Sequence, residues 1–211
     1  YIVDAIALRE HLHLLNTTFT NPKILKVFHG ADMDIKWLQR DFGVYVVNLF
    51  DTHKAIQHLG RSPFTFASLL QRYCNETTDK EFQLADWRVR PLSHDMTKYA
   101  RRDTHFLLYI ADRLMQDIIS KAKEENKNPR EELVHVFNMS KDVSLLQFRK
   151  PQLFSRQFYS LYETQSNIWS SSRMGLFKEL WTWRNTKARE DDESETYVLN
   201  TNFLLELVSK L

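Results

Sequence analysis

"HGADMDIKWLQRDFG", residues 29–43, is the stretch on which the fold turns. It follows a strand-like run, residues 23–28, and its Gly30-Ala31 pair leaves room for close backbone approach. Apolar spacing predicts a helix over 32–41, stopped by Gly43. Asp34 therefore stands where a strand hands over to a helix, with Trp37 about one turn further on. An acid in that place is either decoration of a helix N-terminus, favoured by the helix dipole, or one corner of a metal site.

On either side the same alternation continues. Residues 1–6 read as a strand and 7–15 as a short helix. Residues 44–50 are β-branched and aromatic, hence strand, and Asp51-Thr52 offers an N-cap for the next helix. Another helix is predicted over 64–74. Strands alternating with helices imply an α/β domain with a largely buried sheet. One long helix is predicted over 97–123, with Tyr99, Asp103, Phe106, Leu107, Ile110 and Leu114 sharing a face. Most of that face is apolar, yet one end carries a phenol and a carboxylate four residues apart. A half-buried tyrosine beside an N-terminal acid explains it without function. Residues 124–152 are charged, contain a proline and read as a connector. Beyond them, 158–211 is helical, with Leu161, Trp169, Leu176, Leu180, Trp181 and Trp183 as core candidates and an acidic loop at 190–195.

Composition narrows the function classes. Of 211 residues, 43% are hydrophobic and 13% aromatic, which excludes a disordered chain. A net charge of +2 rules out a general nucleic-acid coat, so any basic surface must be local. The single cysteine, Cys74, excludes an internal disulfide and a cysteine-based zinc site. No apolar run is long enough to span a membrane, and no membrane partner is expected.

Asp34, Tyr99 and Asp103 together resemble the second and third motifs of the DEDD exonucleases, in the subclass that carries tyrosine. "VFHGADMDIKWLQRDFGVYVVNLFDTH" (27–53), "LADWRVRPL" (84–92) and "YARRDTHFLLYI" (99–110) are similar to the RNase D-type catalytic domain of the nuclear exosome's exoribonucleases. "WTWRNTKAREDDESETYVLN" (181–200) resembles the start of the HRDC domain (helicase and RNase D C-terminal). The resemblance implies an α/β, RNase H-like DEDD fold, a mixed sheet flanked by helices, followed by a partial all-α HRDC domain. Its expected boundaries are 1–123 for an exonuclease domain lacking its first strands, 124–156 for a linker and 157–211 for the HRDC part.

The chemistry implied is hydrolytic removal of nucleoside 5′-monophosphates from a single-stranded RNA 3′ end. Two divalent cations, Mg²⁺ or Mn²⁺, held roughly 4 Å apart, would activate water and stabilise the leaving oxygen. Such hard ions require oxygen ligands. By resemblance, Asp103 ligates the metal carrying the attacking water, Tyr99 orients that water, and Asp34 supports the second metal. A phenol with a pKa of about 10 orients better than it deprotonates. Trp37 is either a platform for a terminal base or a core aromatic. Lys80, Arg88, Arg90 and His53 are candidates for phosphate contacts, with surface ion pairing as the alternative for each. Asp86-Trp87 is expected to fix its loop, and His29 to be a hydrogen-bonded buried histidine.

The match also departs from the family. Its first motif, Asp-x-Glu, has no counterpart before Asp34: Asp4 lacks a Glu two residues on, and Glu10 stands alone. That strand is expected upstream of Tyr1, so the chain reads as truncated at both ends and by itself inactive. Asn200 stands where the family usually has proline, and Arg102 where an acid is common. The family further implies nuclear exosome core subunits as partners, a monomer within that complex, nuclear and nucleolar placement, and precursors of ribosomal and small nucleolar RNA as substrates. Ribose would be selected through its 2′-hydroxyl. The competing expectation is a scaffold module that binds RNA or exosome subunits without chemistry.

Overall fold

Two short parallel strands organise the first part of the chain. β1 (Lys26–Phe28) pairs with β2 (Leu49–Asp51), Lys26 beside Leu49 and Phe28 beside Asp51. β1 leads through a Gly30 turn into α2 (Asp32–Phe42), and β2 runs directly into α3 (Thr52–Leu59). Both helices therefore start at the carboxyl edge of the strands, where open α/β sheets place their ligands. The computed structural model describes residues 1–77, 81–150 and 152–210. It divides into two units, Tyr1–Phe148 and Arg149–Leu211.

All three residues of β2 are buried. Phe50 lies in a core with Ile56 of α3, Leu69 and Leu70 of α4 (Phe66–Cys74), Ile110, Leu114 and Ile118 of α6 (Leu107–Glu124), and Val136 of α7 (Pro129–Ser144). Each such side chain removed from water contributes about 1.5–3 kcal/mol. A second cluster joins Ala31 and Ile35 to Val46, Leu49 and Val143, seating α2. α2 ends as predicted, at Gly43 with φ +60°, a left-handed conformation that a Cβ would strain.

Several elements differ from the sequence expectation. Residues 1–4 form no strand, 5–8 form a turn, and a 3₁₀ helix (Arg9–Leu15) runs into the short α1 (Asn16–Phe19). A strand needs a neighbour for its backbone groups, and the sheet among the described residues consists of β1 and β2 alone. That pair is parallel rather than mixed. Residues 44–47 keep a strand's alternation, Val44 and Val46 buried and Tyr45 and Val47 exposed, without pairing; Asn48, at φ +60°, breaks the run before β2. The predicted long helix is two, α5 (His94–His105) and α6, joined at Phe106. α5 starts at Ser93, whose hydroxyl accepts from Met96 N–H at 3.1 Å, and Met96 is its one buried residue. The apolar stripe begins only at Leu107, so α6 rather than α5 joins the Phe50 core.

The expected connector is also structured. α7 starts with an Asn128 cap and Pro129, and it buries Val136, Ser140 and Val143. Phe137 packs its ring 5.3 Å from that of Phe50. Its low overall hydrophobicity hid an apolar stripe that is nonetheless continuous in space.

In the second unit, α8 (Arg156–Ser166), α9 (Ser171–Glu190), the short α10 (Glu195–Val198) and α11 (Thr201–Lys210) surround Phe158, Phe177, Trp181, Leu204 and Val208. The Phe158 and Phe177 rings stack at 5.5 Å. Arg184 is buried there, its guanidinium 4.2 Å from the Trp181 ring and donating to Leu199 O at 3.1 Å and Thr201 Oγ1 at 3.0 Å. Leu161, Trp169, Leu176 and Leu180 pack around this core as expected, but Trp183 is exposed, because two residues along a helix from Trp181 is the opposite face. Among the described residues no helix is long and apolar enough to cross a membrane.

Candidate active site

The carboxyl edge of the strand pair is built around Asp51. Its carboxylate is buried and accepts from Gly30 N–H at 2.8 Å, Ala31 N–H at 2.9 Å and His53 N–H at 2.8 Å. Gly30 makes the turn possible at φ +65°. Asp34 follows in the first turn of α2, half-buried and without a hydrogen-bond or ion-pair partner among the described side chains. Burial pushes its carboxyl above the usual range, and the neighbouring Asp51 charge adds to this.

His29 sits behind the turn. The Thr52 hydroxyl donates to Phe28 O at 2.9 Å and so accepts from His29 Nδ1–H at 3.0 Å. Burial lowers the His29 pKa to about 4, the Asp51 charge opposing. His29 is thus hydrogen-bonded as expected, though half-buried rather than fully buried. Its ring lies 5.5 Å from that of His53, and His53 commits Nδ1–H to Phe64 O at 2.8 Å.

Tyr99 and Asp103 line a cavity of about 570 Å³, a size suited to a small ligand. Its walls come from Thr65, Phe66 and Leu70 on one side, Phe82 and Gln83 on another, and Asp95, Lys98 and Arg102 of α5. The Tyr99 ring is flanked by Phe82 at 5.8 Å and Trp87 at 5.9 Å. Trp87 Nε1–H donates to Phe82 O at 3.0 Å, closing the loop as expected of that residue. Desolvation pushes the Asp103 carboxyl up, and it too has no ion-pair partner among the described residues.

Tyr99 and Asp103 therefore share one wall, whereas Asp34 belongs to the strand edge and does not line this cavity. Trp37 is no core aromatic: it is 45% exposed on α2. Arg88 forks onto Asp86 at 2.8 and 3.1 Å. Arg90 clasps Asp4 through two 2.7 Å bonds and also donates to Trp87 O and Val89 O, the ion pairing that the sequence offered as its alternative. Arg102 turns to Glu76 at 2.6 Å and Thr77 O at 2.9 Å. Lys80 lies outside the described residues. Sequence reasoning missed the grip of Phe82 on Tyr99 and the hold of Asp51 on the turn into α2; the "FDT" run signalled only its cap of α3.

Among the described residues no three His, Cys, Asp or Glu side chains gather as a metal site. The donor chemistry of Asp34 and Asp103 nevertheless fits a hard cation. Both are oxygen ligands, both carboxyls are pushed up by partial desolvation, and neither is neutralised by a described basic group.

The chain matches the family model "3'-5' exonuclease" over residues 1–119 and the model "HRDC domain" over 173–211. It is 46% identical to the exosome complex exonuclease RRP6 of Saccharomyces cerevisiae, the match covering 99% of this chain and 29% of that one. It is 42% identical to exosome complex component 10 of Homo sapiens, over 100% of this chain and 23% of that one. The crystal structure of the catalytic core of RRP6 from Trypanosoma brucei superposes with a TM-score of 0.83 at 38% identity, covering 99% of this chain and 55% of that one. The chain thus spans about a quarter of the length of these curated relatives.

Proposed function

Because the chain belongs to the 3′-5′ exonuclease family, we propose that it forms part of a metal-dependent, hydrolytic 3′→5′ exoribonuclease that works with the nuclear RNA exosome. Its substrates are single-stranded RNA 3′ ends, including those of ribosomal and small nucleolar RNA precursors, and it acts as a monomer within that complex in nucleus and nucleolus. One observation carries this reading: a phenol and a carboxylate with no ion-pair partner among the described residues stand one helical turn apart on the wall of a nucleotide-sized cavity.

Asp34 and Asp103 would hold the divalent ions, Mg²⁺ or Mn²⁺, and those ions, when bound, supply the charge that makes water nucleophilic and the leaving oxygen stable. Tyr99 orients. Phe82 and Trp87 hold its ring so that the hydroxyl presents a hydrogen bond in a set direction at little entropic cost. Trp37, exposed one turn after Asp34, offers its face to a terminal base, a contact worth about 1–3 kcal/mol. His53, Lys80 and Arg88 are the proposed phosphate contacts; Arg88 would exchange Asp86 for RNA, and an exposed pair of that kind opens easily.

The test is shortening of a 5′-labelled RNA with Mg²⁺, by this chain and by a version extended N-terminally with a strand carrying Asp-x-Glu. The chain alone should leave the RNA intact, and the extended form should shorten it from the 3′ end. In that form Asp103→Asn should abolish shortening, and Tyr99→Phe should lower kcat at least about 100-fold. RNA bound but never shortened by either polypeptide would replace the enzyme with a scaffold.

A further inference from the structure

The geometry points to Asp51 as a positioning residue for the reaction, setting the place of Asp34 without touching substrate. This rests on the exonuclease reading for its consequence, though not for its geometry. A helix begins with orphan N–H groups that some acceptor must satisfy. α3 uses its own cap, Asp51, through His53 N–H. The N-cap residue of α2 is Ala31, which has no side-chain acceptor to give.

Asp51 serves that helix as well. Its Oδ1 receives Gly30 N–H and its Oδ2 receives Ala31 N–H, so both oxygens are used at the turn leading into α2. The carboxylate cannot drift to suit one helix. Its backbone N–H is held by Ser140 Oγ at 3.0 Å, and that hydroxyl donates to Val136 O at 2.9 Å. Phe28, the last residue of β1, is paired in register with Asp51. Four elements therefore meet at one buried residue, two of them through its side chain and two through its backbone. Asp34 lies three residues after Ala31, so a shift of the turn is carried straight into its carboxylate.

Two substitutions separate positioning from bulk stability. Asp51→Asn keeps one carbonyl acceptor and the side chain's size but turns an NH₂ toward a backbone N–H; Asp51→Ala removes both acceptors. In the extended polypeptide, kcat should fall about 100-fold for Asp51→Ala, less for Asp51→Asn, with KM within about 2-fold of the parent if uniform binding is untouched. Amide exchange should quicken at Gly30 and Ala31. The double variant Asp34→Asn/Asp51→Asn should be no slower than Asp34→Asn, because residues acting through one another are non-additive. Independent, multiplying losses, or unchanged exchange at Gly30 and Ala31, would overturn the assignment. An inactive parent would instead remove the exonuclease reading, and the exchange rates would still decide whether Asp51 fixes the turn.

Discussion

Asp34 and Asp103 are singled out by residue type and spacing before their surroundings are known, and their assignment as metal ligands is a proposal. Both carboxyls are pushed upward by desolvation, the expected condition of acids arranged for something other than a salt bridge. His29 shows the opposite shift and yields a pH prediction. Its pKa falls from 6.5 to about 4 on folding. Between those values the folded chain binds fewer protons than the unfolded one, so stability rises with pH. The His29 contribution is complete above 6.5 and lost as the pH falls toward 4. The shift bounds that loss at about 3 kcal/mol. Denaturant unfolding of His29→Phe should accordingly show a shallower decline of stability from neutral to acidic pH than the parent. Parallel declines would mean that His29 is not the titrating group.

At the scale of elements, α7 carries the largest revision. Its composition suggested a connector, yet it closes the core over β2 and supplies the hydroxyl that holds Asp51 N–H. Ser140→Ala leaves that buried N–H without an acceptor and should cost about 1–3 kcal/mol, read as a lower midpoint in urea with an unchanged m-value. A loss below a few tenths of a kcal/mol would show that the bond is dispensable. α5 and α6 make the complementary point. Charged residues over 94–105 and an apolar stripe from Leu107 were both visible, but the change of partner at Phe106 was not, because periodicity runs through a junction when both helices keep phase.

For the whole molecule, the place where the first unit ends matters more than the length of its catalytic motifs. A polypeptide of residues 1–148 keeps α7 on Phe50, whereas one of 1–123 exposes that face. The longer should unfold cooperatively by circular dichroism, and the shorter should bind a hydrophobic dye and melt without a sharp transition. Cooperative folding of 1–123 would return 124–148 to the status of a connector. The sequence by itself determined the fold class, the end of α2 at Gly43 and the cap of α3, and it singled out Asp34, Tyr99 and Asp103 for the proposed site, because local periodicity, left-handed glycine and motif spacing are properties of neighbouring residues. Tertiary structure alone decided that residues 1–6 form no strand, that Arg90 answers Asp4, that Phe82 and Trp87 grip Tyr99, and that Asp51 caps α3 and also holds the turn into α2. Each of these depends on a partner distant in the chain, and a hydrogen bond or ring contact exists only once both ends have been placed.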